Sequence, residues 1–297
     1  MIAIDLGSNT IRFLAADAAG NEIWERQFVA RAAENLVFSG EICRAALERV
    51  AAAVEKARSE FDFTPHEIKA VATQAFREAK NRDEALRYLL EKTSINFEVI
   101  SAETEAELTA IAAVRSAKNC GLEPPFFVLD IGGASSEIIY ASDREVISHS
   151  LAIGIVVLSE LGLGEDDLKK YLREEFKQLA NFAKRAAMLE KPRTFIATAG
   201  APTTIAAIKK GLTYENYSKK IVNGARLNRA EILKIYAEIA AKNQNERDIL
   251  TGKDRADLVL TGAVMLLEFL AFFEFNECCA IDEALREGVL LRALNLA

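Results

Sequence analysis

The stretch Ile2-Ala-Ile-Asp5-Leu-Gly7-Ser8-Asn9-Thr10 decides the fold, because it is echoed at Phe127-Val-Leu-Asp130-Ile-Gly132-Gly133. Each copy is a short apolar run suited to a strand buried on both faces. Each ends in Asp-x-Gly followed by small polar residues. The surroundings repeat as well. After Asp5 the pattern predicts strands at Ile11–Ala16 and Glu22–Ala30 and a helix at Glu41–Phe61, where Leu47, Val50 and Val54 recur at helical spacing. A strand at Lys69–Thr73, a helix at Arg82–Lys92, a strand at Phe97–Ser101 and a helix at Glu103–Lys118 complete the unit.

After Asp130 come strands at Ser136–Tyr140 and Glu145–Leu151, a helix at Glu165–Ala187 and a strand at Thr194–Thr198. A helix opens near Pro202, a residue suited to a first helical turn. Asn228 and Glu231 form a capping-box pattern before a helix at Arg229–Lys242, and a strand at Cys278–Ile281 precedes a helix at Leu285–Leu294. Two βββαβαβα units in matching order point to an internal duplication. The chain length of 297 residues suits two domains at roughly 100–200 residues each. The segment Asn119–Pro125 has the composition of a crossing between them.

Composition narrows the function classes. With 51% hydrophobic and 27% charged residues the chain can build a substantial core. A net charge of -7 argues against a general nucleic-acid binder. The run Leu258–Phe273 is too short for the ~20 residues of a membrane span, so it reads as a buried helix whose apolar face serves either the core or a homodimer. Cys43, Cys120, Cys278 and Cys279 form no Cys-x-x-Cys pair, and His66 and His149 are the only histidines. A zinc site is therefore unsupported, and free thiols in a reducing cytoplasm are expected. No signal peptide is expected ahead of the strand beginning at Ile2.

The Asp-x-Gly turns carry the chemistry. Glycine permits positive φ and close backbone approach, so successive N–H groups can converge on phosphate oxygens. An aspartate at the strand end adds a carboxylate suited to Mg²⁺ and its waters. Two such hairpins facing each other would form a phosphate clamp around a metal.

Several segments then resemble one family in order along the chain. Ile4-Asp5-Leu6-Gly7-Ser8-Asn9-Thr10 resembles the opening motif of the exopolyphosphatase/guanosine-pentaphosphate phosphatase family. Ala72-Thr73-Gln74-Ala75-Phe76-Arg77 is similar to its arginine-bearing segment, and Ile100–Ala106 to its Ile-Ser-Gly-x-Glu-Glu-Ala segment. Asp130-Ile-Gly132-Gly133-Ala134-Ser135-Ser136-Glu137 resembles Asp-Ile-Gly-Gly-Gly-Ser-Thr-Glu. Thr198–Thr204 resembles a glycine- and threonine-rich loop, and Leu285-Arg286-Glu287-Gly288 a terminal signature.

The resemblance implies a short two-domain form of a duplicated α/β, actin-like (ribonuclease H-like) fold. Each lobe would hold a mixed five-stranded sheet flanked by helices. Residues 1–118 would form the first lobe, with 283–297 packing back on it, and 119–282 the second.

It also implies a cytoplasmic hydrolase that releases terminal phosphate from inorganic polyphosphate or guanosine pentaphosphate. Glu105 would activate the attacking water. Asp5, Asp130 and Glu137 would hold Mg²⁺, with Mn²⁺ as the alternative. Gly7, Ser8, Asn9, Thr10, Arg77, Gly132, Gly133, Ala134 and Ser135 would line the phosphates. Arg286 and Glu287 would tie the last helix to the first lobe.

The departures are Ala102 for glycine, Thr104 for glutamate and Ala134 for glycine, and Ala134 is tolerable only at negative φ. These changes keep a silent phosphate-binding sensor open as an alternative, and the wider fold also includes kinases and filament-forming ATPases. The basic pairs Lys169-Lys170, Lys184-Arg185, Lys209-Lys210 and Lys219-Lys220 either guide a polyanion or solvate helix faces.

Overall fold

The computed structural model describes Met1–Leu296, so Ala297 of the expected C-terminal segment lies outside the described residues. The first sheet contains β1 (Ile2–Leu6), β2 (Thr10–Ala16), β3 (Glu22–Val29), β4 (Ile68–Ala72) and β5 (Phe97–Val99), in the order β3-β2-β1-β4-β5. β1 is antiparallel to β2 and parallel to β4. The second sheet contains β6 (Phe126–Ile131), β7 (Ser136–Ala141), β8 (Val146–Leu151), β9 (Thr194–Thr198), β10 (Ala225–Asn228) and β11 (Glu277–Ala280), in the order β10-β11-β9-β6-β7-β8. With β10 set aside, the second order reads β8-β7-β6-β9-β11 and matches the first strand for strand. These are the two helix-flanked mixed sheets of a duplicated actin-like fold.

The second sheet departs from the expected five strands by gaining β10 at its edge. The tetrapeptide Ala-Arg-Leu-Asn is too short for an alternating pattern to announce it. Its antiparallel pairing with β11 makes it a strand, with Ala225 and Leu227 buried. The expected helix Glu165–Ala187 is also divided, into Glu165–Glu175, a 3₁₀ turn Phe176–Leu179 and Ala180–Ala187. Three-residue turns stack side chains at i and i+3, and Phe176, Leu179 and Phe182 are all buried. The capping box at Asn228 is present: its side chain accepts from Glu231 N at 2.9 Å, and Glu231 accepts from Asn228 N at 3.0 Å.

By contact the chain divides into two units. Unit 1 holds Met1–Ala112, Gly132–Ala134 and the residues from Leu285 on, and unit 2 holds Ala113–Ile131 and Ser135–Ala284. In unit 1 the helix Leu285–Ala293 covers one sheet face. Leu285, Val289 and Leu290 join Ala3, Leu14, Val71 and Leu108 in one apolar cluster. Arg286, itself buried, donates to Phe13 O at 3.3 Å and to Glu25 at 2.8 Å. The glycine of the Leu-Arg-Glu-Gly segment has a steric reason, since a Cβ on Gly288 would lie 2.0 Å from Leu108 O.

In unit 2 the helix Ala256–Phe272 is buried along most of its length, and a Cβ on Gly262 would lie 2.3 Å from Ala201 Cβ. Among the described residues no helix is long and apolar enough to cross a membrane.

Candidate functional site

In unit 1, Asp5 lies on β1 directly opposite Arg12 of β2 and beside Val71 of β4. The hairpin turn is closed by Gly7 N–H, which donates to Thr10 O at 3.0 Å, so this amide serves the turn and is committed to it. Ser8 is buried, and its carbonyl accepts from Ala33 N at 2.9 Å. Asn9 O accepts from both Ala30 N (2.9 Å) and Arg31 N (2.8 Å), with Arg31 in the left-handed region at φ 48°. Arg49 braces that segment by donating to Ala30 O at 2.9 Å and to Glu34 at 2.6 Å. Two buried atoms here, Asn9 Oδ1 and Arg12 Nε, have no hydrogen-bond partner.

The turn Gly132–Ala134 also belongs to unit 1. A Cβ on Gly133 would lie 2.9 Å from Ser8 Cβ and 3.0 Å from Asn9 N. Close approach, not positive φ, therefore requires glycine there. Gly7, Gly132 and Gly133 are all absent from the positive-φ glycines, and Ala134 is absent from the other positive-φ residues. The methyl group of Ala134 thus carries no backbone strain.

Glu105 sits in the first turn of the helix Ala102–Asn119, where its backbone N–H reaches Ser101 O at 2.9 Å. Its carboxylate is buried and receives Arg77 Nη1 at 2.6 Å. Arg77, on the short helix Gln74–Glu78, also donates from Nη1 to Ile100 O (3.0 Å). Its Nε and Nη2 both donate to Gln74 Oε1, at 3.0 and 2.7 Å. Expected as a phosphate ligand, Arg77 thus turns most of its donors to protein groups, and one Nη2–H remains.

Thr104, where the family pattern has glutamate, donates its backbone N–H to Ser101 Oγ at 3.2 Å. Glu103 beside it is held below the usual carboxylate range by its own backbone amide and then by the Ser101 hydroxyl.

In unit 2, Asp130 on β6 faces Glu137 on β7, and Glu137 in turn faces Ser150 on β8. Both carboxylates are buried, and Glu137 Oε1 accepts from Ser150 Oγ at 2.7 Å. Directly opposed side chains share a face of the sheet, and like charges so placed repel. Two adjacent hard oxygen donors fit a Mg²⁺ ion that keeps most of its waters. Of the three carboxylates expected at a metal, Asp130 and Glu137 lie opposite each other in unit 2, and Asp5 lies across the strand from Arg12 in unit 1. Among the described residues no group of three or more His, Cys, Asp or Glu side chains could hold a metal. Ser135, at the mouth of this hairpin, is buried.

Most of the basic pairs are occupied within unit 2. Lys169 pairs with Glu165, Lys170 with Asp167 at 3.0 Å, Arg185 with Glu145 at 2.7 Å and Lys209 with Glu231 at 2.7 Å. Cys120 is exposed, unlike Cys278 and Cys279, and burial pushes the Cys279 thiol up to about 11. Sequence reading missed Gln74, Arg49 and Arg31. Gln74 alone left a trace, because it stands three residues before Arg77 inside a recognised segment.

Comparison with known proteins accords with this architecture. The model of the Ppx/GppA phosphatase family matches residues 15–297. Exopolyphosphatase 2 of Mycobacterium tuberculosis is 28% identical over 95% of this chain and 92% of its own length. The crystal structure of the Aquifex aeolicus member of the Ppx/GppA family aligns with a TM-score of 0.77 at 27% identity, covering 99% of this chain and 97% of that one. An exopolyphosphatase-like protein of known structure aligns with a TM-score of 0.86 at 25% identity, covering 99% and 98%. With a duplicated actin-like fold and a family match across nearly its whole length, this chain belongs to the Ppx/GppA phosphatase family.

Proposed function

We propose that the chain is a phosphoanhydride hydrolase that releases the terminal phosphate of inorganic polyphosphate or of guanosine 5′-triphosphate 3′-diphosphate, with Glu105 as general base. The observation that carries this reading is the buried Glu105 carboxylate held by Arg77 at 2.6 Å at the start of a helix. Phosphoryl transfer asks for in-line positioning and charge neutralisation more than covalent chemistry. A carboxylate fixed by an arginine is an ionised acceptor, able to orient a water and take its proton as the water attacks phosphorus. The half-buried Arg12 guanidinium and the amides of the Ser8–Thr10 and Gly132–Ser135 turns supply donors for phosphate oxygens.

Asp130 and Glu137 are the residues suited to a divalent cation, Mg²⁺ or Mn²⁺, which when bound would offset charge on the phosphate oxygens. Ion pairs at Lys169-Lys170, Arg185 and Lys209 favour a substrate gripped at its terminal phosphates over one drawn along a preset basic track.

The test is phosphate release with Mg²⁺ from polyphosphate, guanosine pentaphosphate and ATP side by side, for the wild type and Glu105→Gln. The variant is expected to lose roughly 10²–10⁴-fold in kcat while polyphosphate binding persists. A near wild-type rate in the variant removes Glu105 from the role. Phosphate release from ATP alone would indicate an ATPase, and tight binding without turnover a sensor.

A further inference from the structure

We propose that Gln74 is a positioning residue for the Arg77–Glu105 pair, and that its neutral charge sets how tightly Arg77 is committed to Glu105. The inference rests on the reading of Glu105 as the base. Gln74 is buried, and its single amide oxygen accepts from Arg77 Nε at 3.0 Å and Nη2 at 2.7 Å. Its amide nitrogen donates to Glu78 Oε1 at 2.9 Å.

Chemistry leaves only one orientation for this amide. A guanidinium offers donors alone and needs the oxygen, and a carboxylate accepts alone and needs the NH₂. Glu78 thus orients Gln74, Gln74 holds the Nε/Nη2 edge of Arg77, and the opposite Nη1 is aimed at Glu105. Ile100 O fixes Nη1 from a further direction at 3.0 Å.

A guanidinium is a rigid planar fork, so holding one edge fixes the other. A glutamate at position 74 would hold the same edge but compete for the charge of Arg77. The neutral amide positions without competing. Other charged groups lie on the elements packed around Glu105. Glu103 and Glu107 share its helix, and Glu107 is paired with Arg292 of the C-terminal helix at 3.0 Å. Glu78 is exposed, and Arg286 bonds Glu25 and Glu287.

The experiment compares Gln74→Met, Gln74→Glu and Glu78→Ala with the wild type, measuring kcat, KM and the pH profile of phosphate release, with thermal melting as the check on folding. Gln74→Met keeps the volume but removes both polar ends. It is expected to lower kcat roughly 10–100-fold, as loss of an orienting outer partner does, with KM little changed. Gln74→Glu should keep much of the rate, but its added carboxylate favours protonation of Glu105. The base acts ionised, so the acid limb of the profile should move to higher pH by about one unit.

Glu78→Ala, at the exposed end, should lower kcat by a few fold and decides the matter if neither Gln74 variant folds. Wild-type kcat in Gln74→Met, an unmoved acid limb in Gln74→Glu, or, where neither folds, an unchanged Glu78→Ala overturns the proposal. Failure of the base assignment is separable, because it appears as activity in Glu105→Gln.

Discussion

The hairpins β1–β2 and β6–β7 are copies of one design that have diverged at the residue facing the aspartate. In both, the strand ends in Asp-x-Gly, and the cross-strand partner stands seven residues on: Arg12 opposite Asp5, and Glu137 opposite Asp130. The first pairing places a residue of opposite charge across the strand from the aspartate. The second sets two buried carboxylates opposite each other, the pair proposed above to hold a divalent cation. Duplication supplied the geometry twice, and one substitution per copy assigns each hairpin a different charge problem.

The strand–helix turns beside the hairpins diverge in the same way. Val71 pairs with Asp5 and Thr198 with Asp130, so Arg77 and Thr204 are equivalent, each six residues further on. Arg77 reaches Glu105, whereas Thr204 turns its hydroxyl back to Gly200 O at 2.6 Å.

The sharpest test of this contrast is Glu137→Gln against Arg12→Gln. Glu137→Gln is expected to raise the Mg²⁺ concentration needed for half-maximal activity by roughly 10–100-fold. Arg12→Gln should leave the Mg²⁺ requirement in place and raise KM instead. Equal Mg²⁺ profiles for the two variants would erase the distinction.

The next effect probes what backs the first hairpin. Gly288→Ala forces a methyl against Leu108 O, a backbone atom that cannot step aside, and should cost about 3 kcal/mol in denaturant unfolding. A smaller effect belongs to the second copy, where Ala199, equivalent to Ala72, sits at φ 71° and ψ -175°, a region suited to glycine. Ala199→Gly should raise stability by roughly 1 kcal/mol, and loss of stability would mean the turn is not strained. The smallest is the relief of repulsion. In EDTA, Glu137→Gln should melt higher than the wild type by roughly 0.2–1 kcal/mol of stability, and Arg12→Gln should not.

Much of this was legible in the residues themselves. The two Asp-x-Gly strands, the matching element order, the capping box at Asn228 and the segment bearing Glu105 all rest on local signals: period, turn chemistry and short motifs. The sixth strand was not legible, because four residues acquire strand character only from the free edge of β11. Nor was the break in Glu165–Ala187, which serves the packing of Phe176, Leu179 and Phe182.

The sequence by itself determined the duplicated fold and the family and named the candidate site residues, since each is written in a contiguous pattern of a few residues. Only the tertiary structure decided their partners. It set Arg77 on Glu105 and Gln74, opposed Asp130 to Glu137, set Arg12 across the strand from Asp5, and made Gly133 and Gly288 points of close approach. Those relations join residues from separate strands and helices, and register and packing, not neighbouring sequence, fix which side chains meet.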